Sequence, residues 1–520
     1  MKNICFFAVV VIAVSLWLVG CRQQPTADST PNPTLTPEAT ATSQPMPTPV
    51  YEPVFETADC QFSYSGDADI HCGYLVVPED RSEPERMVRL HVAVVSSSSS
   101  SPAPDPLVYL DGGPGGYTLA VAGNYLASFR DVLKERDVIF FDQRGIGYSE
   151  PSLDCPELDE SVLAHIEERL DDDEKLANTL EALTACRDRL LAEGVNLSAY
   201  NSAASSADLD DLRRALGYES WNLYGISYGT RLALTAMRDY GDTGTIRSVV
   251  LDSVYPPQID GFGVLGVNAD RAFTLMFERC AAIEQCNGDY PDLENRFYDL
   301  VDALNEEPMT VVVTDRASRT NYRIPVDGDD LIDVLFLMMY DGDQVLYVPR
   351  MIAQVERRVS SILMERLGLQ INVPAYSSEG MQLSVQCFEE APFYKGEVEG
   401  ESLPPELAKF YGRWASDLRT ACELWGVKSA EPLENEPVVS DIPTLILSGD
   451  YDPITPPSNG METAEFLSNS FFFEFEGVGH GVAMGTNCGM DMITAFLEKP
   501  DVRPDDGCMT SLFVGFVRPY

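Results

Sequence analysis

The sequence predicts an α/β fold in which a mostly parallel sheet has helices on both faces, joined to a second, mainly helical region. Short apolar runs typical of strands alternate with helix-like stretches from about residue 70 to residue 255. The alternation then stops, and residues 256–438 consist mainly of amphipathic, helix-like stretches. Strand-like runs return at 444–449 and 471–475. We therefore expect residues 439–520 to complete the sheet that residues 55–255 begin.

The first half of the sheet follows in order along the chain. Residues 74–77 and 88–95 alternate between apolar and polar side chains, which favours an antiparallel hairpin. Apolar runs at 107–110 and 138–142 predict two buried strands, and a helix is expected between them at about 126–134.

Helices separate the next strands. We expect an acidic helical insertion at 155–200 and a helix at 206–216, where Leu209, Leu212 and Leu216 share one face. Strands are expected just before residue 225 and at 246–251.

The inserted region contains four helix-like stretches and one short pair of strands. The helices are predicted at 269–282, 293–304, 329–339 and 407–425, and the strands at 309–313 and 321–325. About 465 residues follow the N-terminal segments, which is too many for one compact core, so two lobes are expected.

Residues 225–229 read Gly-Ile-Ser-Tyr-Gly, between a strand-like run and the helix-like stretch 232–237. Strand, Gly-x-Ser-x-Gly and helix is the arrangement of a nucleophile elbow, in which a tight turn exposes the serine at the end of the sheet. Ser227 is therefore the candidate nucleophile.

The general base follows by elimination. In an elbow hydrolase the chain order is serine, acid, histidine. Of the four histidines, His71, His91 and His165 precede the serine, which leaves His480. It lies in a Gly-rich loop after the apolar run 471–475.

The acid should lie between the serine and the histidine, at the end of another strand. Asp450 and Asp452 both follow the strand-like run 444–449. We prefer Asp452, which stands three residues after Gly449 and before a proline that stiffens the loop. The other aspartate is expected to be a turn residue.

An acyl-transfer serine also needs donors for the developing oxyanion. Residues 111–116 read Asp-Gly-Gly-Pro-Gly-Gly and follow the strand-like run 107–110. The glycines leave backbone N–H groups able to approach a ligand closely. One N–H of this loop and that of Tyr228 would form an oxyanion hole.

Five motifs occur in the same order as in a known group of enzymes. They are Gly-Gly-Pro-Gly at 112–115, Asp-Gln-Arg-Gly-Ile-Gly-Tyr-Ser at 142–149, the elbow at 225–229, Asp-Pro-Ile-Thr-Pro at 452–456 and Gly-His-Gly at 479–481. Over residues 55–520 the chain resembles the proline iminopeptidase and secreted tripeptidyl aminopeptidase branch of the α/β-hydrolases. The tripeptidyl aminopeptidase side fits better, because that subgroup is secreted, long and cysteine-bearing. Proline iminopeptidases usually have histidine where this chain has Asp111, which argues against a strict proline iminopeptidase.

The resemblance implies an α/β-hydrolase fold with a large, mainly helical cap over residues 256–438. It places the oxyanion donors at Gly113 and Tyr228 and supports Asp452 as the acid. An aminopeptidase must bind a free ammonium group, and proline iminopeptidases use glutamates of the cap. Glu389 and Glu390 are the candidates here, with Glu389 preferred.

The N-terminus predicts export. Residues 4–19 form an apolar run of signal-peptide length, and Leu-Val-Gly precedes Cys21 as in a bacterial lipobox, in which the cysteine is lipidated. Residues 22–54 are rich in Thr and Pro and predict an extended linker. We expect a protein outside the cytoplasm that contacts the membrane through its lipid anchor only.

Ten cysteines remain after Cys5 and Cys21, an even number that outside the cytoplasm predicts disulfides. Nearest-neighbour pairing gives Cys60–Cys72, Cys155–Cys186, Cys280–Cys286, Cys387–Cys422 and Cys488–Cys508. The net charge of −46 excludes nucleic-acid binding. With four histidines and no Cys-x-x-Cys, we expect neither a metal site nor a cofactor.

The sequence thus predicts an exported, monomeric serine exopeptidase that releases one to three residues from peptides with a free N-terminus. An esterase or lactone hydrolase using the same three residues is the main alternative. An inactive hydrolase-fold binding protein is a third, disfavoured because no candidate catalytic residue is missing.

Overall fold

The computed structural model describes residues 51–64, 68–372, 376–396, 403–511 and 515–519. The signal segment, Cys21 and most of the linker lie outside these residues. The strands of the described chain form one nine-stranded sheet and one two-stranded sheet. In chain order they are β1 (Val54–Thr57), β2 (Ile70–Asp80), β3 (Glu83–Val95), β4 (Leu107–Leu110), β5 (Val138–Phe141), β6 (Trp221–Ile226), β7 (Ile246–Asp252), β8 (Met309–Thr314), β9 (Asn321–Val326), β10 (Thr444–Gly449) and β11 (Ser470–Phe475).

The large sheet has the order β1-β2-β3-β5-β4-β6-β7-β10-β11. The first three strands are antiparallel to their neighbours, and the pairs from β5 to β11 are parallel. Side chains of β4 alternate between two clusters. Tyr109 packs with Tyr224 and Phe140 on one face, whereas Val108 packs with Leu223 on the other. Because both faces are buried, the strands read as continuous apolar runs.

Five α-helices of the described residues lie between β4 and β7 in chain order. They are α1 (Leu119–Tyr125), α2 (Pro156–His165), α3 (Asp172–Ala192), α4 (Ser202–Leu216) and α5 (Tyr228–Tyr240). The helix expected at 126–134 is wrong in position, because α1 ends at Tyr125 and short 3₁₀ turns follow it. The N-terminus of α1 is fixed by a residue distant in sequence, because Asp142 accepts hydrogen bonds from the N–H groups of Thr118 and Leu119.

The inserted region is a helical lobe with its own core. Its helices are α6 (Gly261–Ala282), α7 (Glu284–Asp289), α8 (Leu293–Glu306), α9 (Gly328–Tyr340), α10 (Gly342–Val345), α11 (Val348–Glu356), α12 (Ser361–Asn372), α13 (Glu379–Glu389) and α14 (Pro405–Trp425). Phe273, Met276, Phe297 and Met338 are central in that core. We call this lobe, residues 256–438, the cap.

The last part returns to the sheet through α15 (Pro457–Phe466), α16 (Val482–Gly485) and α17 (Asn487–Glu498). The ten cysteines of the described residues form the five nearest-neighbour disulfides expected from the sequence. Throughout the part of the chain that the structure covers, no helix is both long and apolar enough for a membrane span.

Candidate active site

Ser227 lies in a tight turn between β6 and α5. Its backbone has φ 56° and ψ −127°, a conformation that few residues other than glycine adopt. The flanking glycines are required by close backbone contacts. A Cβ on Gly225 would lie 2.3 Å from the carbonyl oxygen of Gly229, and one on Gly229 would lie 2.0 Å from that of Leu110. The elbow expected from the sequence therefore has a steric basis.

The loop expected to provide oxyanion donors runs beside the serine. A Cβ on Gly112 would lie 2.8 Å from the Cβ of Ser227, and Gly113 has φ +114°. Tyr228 is the first residue of α5, where the N–H group has no partner inside the helix. The fold thus places Gly112 against the Ser227 side chain, with Gly113 next in the loop and Tyr228 next in the elbow.

His480 and Asp452 form a hydrogen bond at the carboxyl edge of the sheet. The distance between His480 Nδ1 and Asp452 Oδ2 is 2.7 Å, and both side chains are buried. The Nε2 atom of His480 is buried and has no hydrogen-bond partner among the described residues. It is therefore free to exchange a proton with a serine hydroxyl. Such bonds are often long in unliganded enzymes and shorten in the substrate complex.

The carboxylate of Asp452 has a full set of donors. Its Oδ1 accepts from the N–H groups of Ile454 and Thr455, and its Oδ2 accepts from the Thr455 hydroxyl at 2.7 Å. Burial alone would raise its pKa, but the charge of His480 and these hydrogen bonds together lower it. Asp452 is thus ionised at neutral pH.

Asp450 has different partners. Its Oδ2 lies 2.5 Å from Nη2 of Arg279 on α6, and its Oδ1 accepts from the N–H of Gly477. The structure therefore directs Asp450 towards the cap and Asp452 towards His480.

Two residues missed by the sequence analysis support this arrangement. Asp252, at the end of β7, accepts from the N–H groups of Val482 and Ala483 and so fixes the turn that follows His480. Burial raises the pKa of Asp252 to about 6. Arg271 on α6 donates to the carbonyl oxygens of Asp450 and Asp452. No local motif marks either residue in the sequence, although Asp252 shares with Asp450 and Asp452 a position at the end of a strand.

The two candidate amine-binding residues have unequal environments. Glu389 forms a buried ion pair with Arg231, and its carboxylate also accepts from the N–H and hydroxyl of Ser202. Glu390 accepts from the Tyr255 hydroxyl through Oε2, while its buried Oε1 has no hydrogen-bond donor among the described residues. Glu389, preferred from the sequence, is therefore occupied, and Glu390 retains an open acceptor.

Asp111 lies at the base of the oxyanion loop and is fully buried. Its Oδ1 accepts from the N–H of Gly112, and its Oδ2 has no donor among the residues described. Burial, the largest cause, raises its pKa from 3.8 to about 7. Between these two pKa values the Asp111 carboxyl is protonated in the folded protein and ionised in the unfolded chain.

This shift predicts a pH-dependent stability. Between pH 4 and pH 7 the folded state binds more protons at Asp111 than the unfolded state, so stability falls as the pH rises, by up to about 4 kcal/mol. Replacing Asp111 with asparagine removes that loss. The wild type should lose Tm between pH 5 and pH 8, and Asp111→Asn should lose a few degrees less over the same pH range. An equal drop in both proteins would contradict the assigned shift.

Comparisons with known proteins agree with the fold and the chemistry. A family model described as "alpha/beta hydrolase fold" matches residues 105–278, and one described as "TAP-like protein" matches residues 408–508. The chain is 24% identical over 457 residues to the serine protease Hip1 of Mycobacterium tuberculosis, covering 82% of this chain and 84% of the relative.

Two further relatives extend the comparison. The chain is 24% identical over 476 residues to the putative hydrolase YuaR of Escherichia coli K12, covering 86% of this chain and 89% of that protein. It is 32% identical over 214 residues to the tripeptidyl aminopeptidase of Streptomyces lividans, covering 39% and 38% of the two chains. The chain is therefore an α/β-hydrolase of the branch that includes the tripeptidyl aminopeptidases, and it is a serine hydrolase of the peptidase type.

Proposed function

We propose that this chain is an exported aminopeptidase that releases short fragments, of one to three residues, from peptides with a free N-terminus. The observation that carries the proposal is the 2.7 Å bond between His480 and Asp452, beside an elbow that bears Ser227. This arrangement suits acyl transfer. The names of the relatives support peptide substrates.

In the proposed reaction Ser227 Oγ attacks the scissile carbonyl carbon, and His480 Nε2 takes the hydroxyl proton. Asp452 holds the imidazole in the required tautomer and stabilises its charged form. The N–H groups of Gly113 and Tyr228 donate to the oxyanion. His480 then gives the proton to the leaving amine, and water attacking the acyl-enzyme releases the short fragment and restores Ser227.

The cap provides acceptors for an ammonium group. Gln386 lies on α13, and Glu390 follows the last residue of that helix, with its N–H donating to the carbonyl oxygen of Gln386. The Oε1 atoms of both are buried and have no hydrogen-bond donor among the described residues. A buried acceptor without a donor is costly, so a bound ammonium would be stabilised here.

Three hydrogen bonds connect Glu390 to the backbone of the serine. Tyr255 donates its hydroxyl proton to Glu390 and its N–H to the hydroxyl of Thr230. The Thr230 hydroxyl donates to the carbonyl oxygen of Ser227. We therefore assign the amine-binding role to Glu390, assisted by Gln386, and a structural role to Glu389.

Replacing Glu390 with glutamine tests this assignment. Losing one charged hydrogen bond of about 1.5–3 kcal/mol should lower kcat/KM for free peptide anilides about 10- to 100-fold. Cleavage of N-acetylated anilides, which is slow in the wild type, should not change. The measured quantity is the ratio of the two kcat/KM values for mono-, di- and tripeptide anilides, which also gives the fragment length.

A matched control is Glu379→Gln, at the other end of the same helix, which should leave that ratio unchanged. A ratio near one in the wild type, or one that Glu390→Gln does not alter, would refute the amine site. Hydrolysis of p-nitrophenyl butyrate without any cleavage of anilides would instead indicate an esterase.

Export and lipid anchoring are the remaining part of the proposal. Disulfides form in oxidising compartments, and five are present here. The lipobox-like residues before Cys21 support an anchor followed by a flexible linker. Mass spectrometry of the N-terminal peptide from cells tests this. Acyl chains on Cys21 would support the anchor, and an unmodified cysteine would contradict it.

A further inference from the structure

Tyr340 is the last residue of α9, and it connects the cap to the candidate base. Its ring lies against the imidazole of His480, with the ring centroids 4.2 Å apart and an angle of 30° between the planes. Its carbonyl oxygen accepts a hydrogen bond of 2.8 Å from the N–H of His480. One residue of the cap therefore contacts both the backbone and the side chain of the histidine.

The neighbouring backbones are packed so closely that the contact has little freedom. A Cβ on Gly479 would lie 2.5 Å from the carbonyl oxygen of Tyr340 and 2.6 Å from that of Met339. A Cβ on Gly342 would lie 2.8 Å from the nitrogen of Gly479. The end of α9 and the histidine loop thus fit together only because these two positions are glycine.

Tyr340 also reaches the nucleophile. Burial raises the pKa of its hydroxyl above the ordinary value, the charge of Asp452 adds to this effect, and a hydrogen bond with the Ser227 side chain opposes it. At neutral pH the phenol is therefore protonated and able to share a proton with Ser227.

We propose that Tyr340 is a positioning residue for the reaction, in which the aromatic ring holds the His480 imidazole in its reactive orientation. The proposal rests on the proposed roles of Ser227, His480 and Asp452. Asp452 restrains the imidazole only at Nδ1, which leaves the ring plane able to tilt about that bond. Stacking against Tyr340 restrains the plane, and the carbonyl bond restrains the main chain. The cap thereby contributes to the chemistry as well as covering it.

Two substitutions separate the ring from the hydroxyl. Tyr340→Phe keeps the ring and removes one hydrogen bond of about 1 kcal/mol, so kcat should fall about fivefold. Tyr340→Leu removes the ring and lets the imidazole tilt. Since a displacement of about 1 Å can cost 100-fold in rate, kcat should fall about 100-fold while KM changes less than about twofold. Rescue by phenylalanine identifies the ring as the cause.

The measurements are kcat and KM with p-nitrophenyl butyrate and the rate of labelling of Ser227 by a fluorophosphonate. Neither measurement depends on an amine-binding site. If the wild type reacts with the fluorophosphonate but cleaves no peptide, the proposed peptidase activity is refuted, while the role of Tyr340 can still be tested. Tyr347→Leu, at an exposed tyrosine of the cap, is the control and should match the wild type.

Folding is checked by the melting temperature of each variant. If Tyr340→Leu unfolds at the assay temperature, Tyr340→Met replaces it, because methionine fills the same space without a ring. The inference is overturned if the non-aromatic variants keep wild-type kcat and labelling rates. It is overturned equally if Tyr340→Phe loses as much as they do, or if the loss lies in KM alone.

Discussion

Replacing Ser227 with alanine is expected to lower kcat for free peptide anilides by about 10⁴- to 10⁶-fold. Ser227, His480 and Asp452 are proposed to act together, so the loss of the nucleophile also removes the contribution of the other two. Alanine adopts the φ of 56° no less readily than serine, so the elbow should keep its geometry. We therefore expect a melting temperature close to that of the wild type. Initial rates at saturating substrate and a thermal melt are the two measurements.

Ser253→Ala is a stringent control for this result. Ser253 directly follows β7 and has φ 59°, and its hydroxyl accepts from the N–H of Gly481, next to the histidine. The substitution thus removes a hydroxyl from a serine that also has a positive φ, without removing the nucleophile. We expect a loss of tenfold or less. A Ser227→Ala protein that retains more than a hundredth of the wild-type rate would contradict the proposed chemistry.

Asp452→Asn is expected to lower kcat about 10³- to 10⁴-fold. Asp452 accepts hydrogen bonds through both oxygens, from Ile454 and Thr455 on one side and from His480 and Thr455 on the other. An asparagine has one acceptor oxygen, so its NH₂ group must face a donor. If it faces His480, the imidazole turns to the tautomer that cannot take the serine proton.

The neighbouring Asp450 provides the matched substitution. Asp450→Asn weakens the ion pair with Arg279 and so should lower the melting temperature, while kcat stays within about tenfold of the wild type. Full kinetics of both variants decide the assignment. A larger loss of kcat in Asp450→Asn than in Asp452→Asn would transfer the orienting role to Asp450.

The sequence predicted the parts of this site that local patterns determine. Ser227 is recognisable because the tight turn requires the glycines at 225 and 229. His480 is recognisable because it is the one histidine that follows Ser227 in the sequence. The pattern favoured Asp452 over Asp450 without excluding either, since both follow the same strand. Their side chains diverge only because Arg279 lies on a distant helix.

Long-range packing explains what the sequence did not reveal. Glu389 is the last residue of α13 and Glu390 follows it, and the two adjacent side chains have different partners, Arg231 for Glu389 and Tyr255 for Glu390. Tyr340 and Asp252 contact the histidine loop across more than a hundred residues of chain. No spacing rule links them to it, and only the folded arrangement does.

The disulfides have a consequence for the mechanics of the enzyme. Cys280–Cys286 and Cys387–Cys422 close loops within the cap, and the other three close loops within the sheet-bearing lobe. Each cross-link therefore stiffens one lobe, and none ties the two lobes together. The joint between them is held by reversible contacts such as the one at Tyr340. The association of the two lobes therefore depends on non-covalent packing and on the two chain crossings, and none of these five disulfides contributes to it.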